Sequence, residues 1–143
     1  MAWIVVEREV DAPPEVLWDV VVDVVSWPRW TASMTSVDLL DGEVALGRRA
    51  RVRQPRLPTQ VWTVTELEPG RSFSWAVANA AVTTVGGHEV YARDHGTSRI
   101  VLTLDQSGPL APVVGLLLGS LSRRYVELEA AGLKAAAESR RAG

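Results

Sequence analysis

His88 and Tyr125 are the two residues of this chain whose types suit proton transfer and whose positions aim them at a common interior. His88 lies in a stretch, residues 82–93, that alternates like a strand. It shares a parity with Thr84, Gly86, Val90 and Ala92, while Glu89, Tyr91 and Arg93 take the other. The less charged face turns inward, so His88 is the histidine expected inside, whereas His95 stands in an Asp94-His95-Gly96 turn open to solvent. Tyr125 falls on the apolar stripe of a C-terminal helix. An imidazole and a phenol converging from sheet and helix suit enolisation or dehydration chemistry. The alternative is a pair satisfied by backbone or water, because the sequence pattern sets no inward carboxylate beside His88.

The residues around this pair would decide what enters. The chain has six tryptophans against one phenylalanine. Trp27 and Trp30 flank a short helical turn, and Trp62 and Trp75 lie on neighbouring strands, where Phe73, Trp75 and Val77 share a face. Such rings stack on flat ligands, and an indole N–H can fix a ligand oxygen; equally, they can fill a core, the role expected of Trp18. Gln54 is expected to point inward as a polar contact. Leu117 and Leu121 join Tyr125 on the helix stripe. Arg8 interrupts the apolar face of the first strand, either pairing with a ligand anion inside or reaching its head into water at the strand edge. Arg49, Arg51 and Arg53 alternate with Ala50, Val52 and Gln54, which puts three guanidiniums on one strand face. They form either a docking face for an acidic partner or a solvated outer sheet surface.

Several chemistries are excluded by type. With no cysteine there is no thiolate nucleophile and no sulfur-ligated metal. No His and carboxylate cluster has metal-ligand spacing, and no glycine-rich loop has a phosphate-cradling pattern, so neither metal nor cofactor is expected. Gly86-Gly87 sits inside a strand pattern and reads as a bulge or bend. Ser120 and Ser122 lack a nucleophile elbow. A net charge of −2 argues against nucleic acid as a partner. No secretory leader pattern precedes Glu7, and the apolar run 113–121 is short of the ~20 residues of a membrane span. A cytoplasmic protein, monomeric or homodimeric, is the resulting expectation.

The elements that must position these residues follow from periodicity. At 143 residues the chain is expected to form one domain, residues 1–143. Trp3–Asp11 alternates as a half-buried strand. Asp11-Ala12-Pro13-Pro14-Glu15 opens a helix with Asp11 as cap, and Val16, Leu17, Val20, Val21 and Val24 continue it until Trp27-Pro28 interrupts. A second short helical turn then spans Ser26–Trp30, with Ser26 as cap. Period-two segments follow at 35–40, 47–54, 60–68, 72–78, 82–93 and 98–107, separated by turn residues such as Glu68-Pro69-Gly70. Short links of this kind imply an antiparallel meander. A long helix then runs from Gly108 to about Arg140, with Leu110, Val114, Leu117, Leu121, Tyr125, Leu128 and Gly132 as its stripe and Glu127 and Glu129 off it.

The strings VDAPPEVLWDVVVDVVSWPRW, VWTVTELEPGRSFSW and GTSRIVLTLDQSGPLAP resemble the SRPBCC superfamily in its polyketide cyclase/dehydrase and lipid-transport branch. The resemblance covers essentially the whole chain. It implies a START-like helix-grip fold of the α+β class: a curved antiparallel sheet of about seven strands wrapped on the C-terminal helix, with two short helices after the first strand. It also implies a hollow between sheet and helix. The leading expectation is a binder of a small hydrophobic ligand, aromatic or polyketide- or lipid-like. The alternatives are a cyclase/dehydratase using His88 and Tyr125, with Arg8 or Gln54 orienting a carbonyl, and an interaction module built on Arg49, Arg51 and Arg53.

Overall fold

Strand β1 (Ile4–Val10) opens the fold and buries Ile4, Val6 and Val10 on one face. A computed structural model describes residues 4–142; Trp3, expected at the start of this strand, lies outside the described residues. Helix α1 (Pro14–Val22) follows, buries Leu17, Val20 and Val21, and leads into a 3-10 turn, Val24–Arg29. Neither expected cap is used. Pro13 holds the cap position of α1, and Asp23 precedes the 3-10 turn, which contains Ser26. Asp11 instead joins the two helices: its backbone N–H donates to Glu138 at 2.8 Å, and its carboxylate pairs with Arg141 at 3.3 Å.

The remaining strands are β2 (Ser36–Leu39), β3 (Arg49–Arg53), β4 (Gln60–Glu68), β5 (Ser72–Ala78), β6 (Thr83–Arg93) and β7 (Thr97–Ser107). They form one seven-stranded antiparallel sheet in the order β1-β7-β6-β5-β4-β3-β2. The meander therefore runs from β2 to β7, and β1 returns to pair with the last strand. The expected segments match these bounds to within two residues at each end.

The irregularity in the sheet is not at the paired glycines. β6 runs unbroken through Gly86 and Gly87, and the register shifts instead between Val64 and Glu66 in β4. What the glycines supply is room. A Cβ on Gly86 would lie 3.2 Å from the Trp75 indole nitrogen, and one on Gly87 would lie 2.4 Å from the Thr103 hydroxyl. The missing side chain at Gly86 lets the Trp75 ring lie across β6, and the one at Gly87 makes room for Thr103 on the other face.

Helix α2 (Ala111–Ala142) crosses the concave side of the sheet, the arrangement of the α+β helix-grip fold. It begins three residues later than the sequence pattern indicates. Gly108, at φ +110°, instead makes a close approach to the β5–β6 hairpin, where Leu110 N–H donates to the Ala81 carbonyl at 3.1 Å. The buried row of α2 is also rotated from the expected one. Tyr125, Val126, Glu129, Ala130, Leu133 and Ala137 are buried, whereas Leu116 and Leu117 are 86% and 73% exposed. Leucines at 116, 117 and 118 stand on adjacent faces of the helix, so the apolar pattern there fixes no single orientation.

Small residues farther along α2 fix it instead. An added Cβ at Gly132 would lie 2.4 Å from the Trp30 carbonyl oxygen and 2.5 Å from its ring. The helix touches the backbone of the 3-10 turn here, and only glycine fits. In an ordinary helix Gly→Ala stabilises by ~1 kcal/mol. Gly132→Ala is expected to reverse that sign and destabilise by about 1–3 kcal/mol, as overpacking does. Chemical denaturation of both proteins checks it, and a gain in stability would contradict the packing described.

A candidate ligand cavity

Sheet and helix do not meet along the first half of α2. Between them lies a cavity of about 310 Å³, at the lower end of the ~300–1,000 Å³ typical of ligand pockets. Its walls are mostly apolar: Trp62 and Trp75 from the sheet, Leu57 and Pro58 from the β3–β4 loop, and Val114 and Leu118 from α2. Gln54, His88, Gln106, Tyr125 and Glu129 supply polar atoms, and no arginine or lysine lines it among the described residues.

Of the residues expected at the site, Gln54, Trp62, Trp75, His88 and Tyr125 come together around this space. Trp27 and Phe73 do not reach it. Both are fully buried and stand behind the wall, Trp27 edge-on to Trp75 at 5.6 Å between ring centres and Phe73 edge-on to Trp75 at 5.5 Å. Trp30 packs against Trp27 and Gly132 rather than lining the cavity. Arg8 is half-buried away from the cavity, its guanidinium donating to the Glu7 carbonyl at 2.8 Å. Leu117 faces solvent, and Leu121 does not line the cavity; the rotated helix brings Leu118 and Ser122 there instead. Arg49 on the outer sheet face is held by Asp41 at 2.9 Å. His95 lies in its exposed turn at φ +61°.

His88 is set in an aromatic nest. Its ring stacks on Phe73 at 4.2 Å and 14°, and Trp27 and Trp75 approach at 5.4 and 5.7 Å. Its Nδ1 lies 3.1 Å from the Phe73 carbonyl oxygen. A carbonyl can only accept, so Nδ1 carries the proton and Nε2 keeps a lone pair. Burial pushes the imidazole pKa down to about 4, against a smaller opposing effect of the carbonyl. At neutral pH this is an uncharged histidine with a basic nitrogen to offer.

The residue that sequence reasoning missed is Glu129. The helical pattern sets it on the solvent side, yet it is buried and lines the cavity. The available signal was its spacing of four from Tyr125, which places both on one helix face. Burial raises its pKa to about 8, partly offset by a hydrogen bond from Ser33. Ser33 in turn lies 2.8 Å from the Thr31 hydroxyl, and Gln54 Nε2 donates to the Ser33 carbonyl at 3.2 Å. With the Ser33 proton directed to Glu129, Thr31 is left to donate to Ser33. Tyr125 is differently occupied: its hydroxyl donates to the Pro55 carbonyl and ties α2 to the β3–β4 loop. Gln106 donates to Thr84 at 3.2 Å and leaves its buried Oε1 unpartnered.

The family model described as polyketide cyclase / dehydrase and lipid transport matches residues 1–138. A protein of Streptomyces halstedii named as a candidate polyketide cyclase is 33% identical over 87 residues, covering 59% of this chain and 70% of that protein. Among solved structures, the di-domain ARO/CYC protein BexL of the BE-7585A biosynthetic pathway superposes with a TM-score of 0.70 at 18% identity. The match covers 91% of this chain and 45% of that one, so this chain spans less than half of the di-domain protein. The Zhui aromatase/cyclase of Streptomyces sp. R1128 gives 0.67 at 20% identity over 97% and 92% of the two chains. A protein of Thermus thermophilus gives 0.74 at 20% over 96% and 97%. At these identities the structural likeness is one of fold.

Glu129 makes stability depend on pH in a definite direction. Its folded pKa of about 8 lies above the ordinary value of 4.5, so the folded state holds the proton longer and stability falls as pH rises between the two. His88 acts oppositely, but only below its ordinary value of 6.5. Between pH 6.5 and 8 the Glu129 effect therefore stands alone. Wild type is expected to lose about 2 kcal/mol across that window, at 1.36 kcal/mol per unit, and Glu129→Gln to lose little. Denaturation at the two pH values checks this; equal losses in both proteins would contradict it.

Proposed function

Because the chain belongs to the polyketide cyclase / dehydrase and lipid transport family, we propose that it holds a small, largely apolar molecule in the cavity between the sheet and α2. The observation that carries this reading is the cavity itself. A sheet and a helix whose inner faces are this apolar gain by closing on each other, at ~25 cal/mol per Å² buried. Here the space between them stays open along the mouth-side half of α2. Trp62 and Trp75 line it, and aromatic rings favour a flat or aromatic guest.

Naphthalene serves as a neutral probe, with quenching of tryptophan fluorescence as readout. Val114 lines the cavity from α2 and is half-buried. Val114→Trp is expected to fill part of the space and weaken naphthalene binding at least tenfold, with the circular dichroism spectrum unchanged. No binding of naphthalene by wild type, or equal binding by the variant, would overturn the reading.

Glu129 favours a second reading, a cyclase/dehydratase. The two buried titratable groups have pKa values pushed apart, His88 to about 4 and Glu129 to about 8. Such a split assigns base and acid. His88 Nε2 takes a proton from the carbon between a carbonyl and a carbinol. The C–H electron pair becomes the new C=C bond, the C–O bond breaks, and Glu129 protonates the departing hydroxyl, which leaves as water. Tyr125, already donating to Pro55, yields the acid role to Glu129. Between about pH 4 and 8 the base is free and the acid protonated together, so kcat/KM on a β-hydroxy ketone is expected to be bell-shaped with limbs near those values. His88→Ala turning over at the wild-type rate would remove this mechanism.

A further inference from the structure

We propose that the cavity is selective for amines: Glu129 receives the ammonium group of the guest, and Trp62, Trp75 and Tyr125 supply aromatic faces in the same enclosure. The inference rests on the cavity being a ligand site and adds the chemistry of the ligand. It is carried by two independent features of the lining.

The first is charge. Glu129 is the one carboxylate lining the cavity among the described residues, and no arginine or lysine lines it. His88 from β6 and Tyr125 from α2 are the other titratable groups that face the space, and His88 is uncharged at neutral pH. A buried carboxylate without a cation must keep its proton or find a counter-ion. An anionic guest would bring its charge into an enclosure whose lining holds no cation to compensate it. Trp62, Trp75 and Tyr125 line the same space, and a cation over an aromatic ring is favoured even before the carboxylate contributes.

The second feature is hydrogen-bond polarity. His88 Nε2 keeps a lone pair because Nδ1 carries the proton, and Gln106 Oε1 is buried with no partner. Glu129 takes one hydrogen bond, from Ser33. Where Glu129 and His88 Nε2 meet the space the lining offers acceptors, and the guest group that answers them there is a donor. An ammonium offers up to three N–H donors and the matching charge. A metal ion does not fit, since no group of three ligating side chains comes together among the described residues.

Isothermal titration of the full chain with three probes of one shape tests this: 2-(2-naphthyl)ethylamine, 2-(2-naphthyl)ethanol and 2-naphthylacetate. The amine is expected to bind at least tenfold tighter than the alcohol, and the acetate weakest. Glu129→Gln is expected to remove most of that preference. A second measurement needs no variant. Amine affinity in wild type should climb to about pH 8, where Glu129 ionises, and then level; uptake of the uncharged amine would keep climbing towards ~10. An amine no tighter than the alcohol, a preference undiminished by Glu129→Gln in a folded variant, or a climb continuing past pH 8 overturns the amine reading alone. Failure of all three probes to bind overturns the ligand-site reading and this one with it.

Discussion

The contact of Gly132 with Trp30 is the constraint on which the rest of the structure depends. A straight helix laid on a strongly bent sheet can lie close to it at only one end. Here the close end is chosen by a missing side chain, which lets α2 sit on the backbone of the 3-10 turn. Val126, Ala130, Leu133 and Ala137 then pack tightly, and Asp11, Glu138, Lys134 and Arg141 link the same end to β1 and the start of α1. The opposite end must stand off the sheet, and the cavity is the space it leaves. Glu129, three residues before Gly132, falls at the boundary between the packed and the open halves.

The aromatic nest behind the cavity has an electrostatic role. Trp27, Phe73 and Trp75 surround His88 with polarisable but uncharged surface. This surface removes water from the imidazole without giving it a counter-charge, so the neutral form wins. The same exclusion of water acts on Glu129 with the opposite sign, because there the charged form is the deprotonated one. One dry environment therefore leaves His88 without a second proton and Glu129 with its own at neutral pH.

Strand parity made much of this legible in the sequence. His88, Trp62, Trp75 and Gln54 face inward as their alternation requires, because a strand has two faces and the less charged one is buried. The bounds of β4 and β5 could be read from their turn residues for the same local reason. The helix was less legible. Leu116, Leu117 and Leu118 satisfy several rotations of the apolar stripe, and the true rotation is set by Gly132, whose partner lies about a hundred residues away. Glu129 was hidden by its type, since a charged residue on an amphipathic helix is ordinarily at the surface. Trp27 and Phe73 were legible as inward-facing, but parity does not say how deep in a face a ring lies. The cap failed at Asp11 because Glu138 and Arg141 claim it, and at Ser26 because the 3-10 turn begins two residues earlier, at Val24.

The bond between Tyr125 and the Pro55 carbonyl bears on time as well as shape. It holds the loop that carries Leu57 and Pro58 against the helix, and the Gln54 bond to Ser33 anchors the same loop from below. A guest bound as proposed that passes this loop comes or goes only while both bonds are open. Each contributes ~1 kcal/mol on balance, and ~1.4 kcal/mol is a factor of ten in an equilibrium. The latch thus slows entry and escape together while leaving the equilibrium between them almost untouched. For a guest bound as proposed and taking this route, residence time is set by a loop that need not touch it with any polar atom.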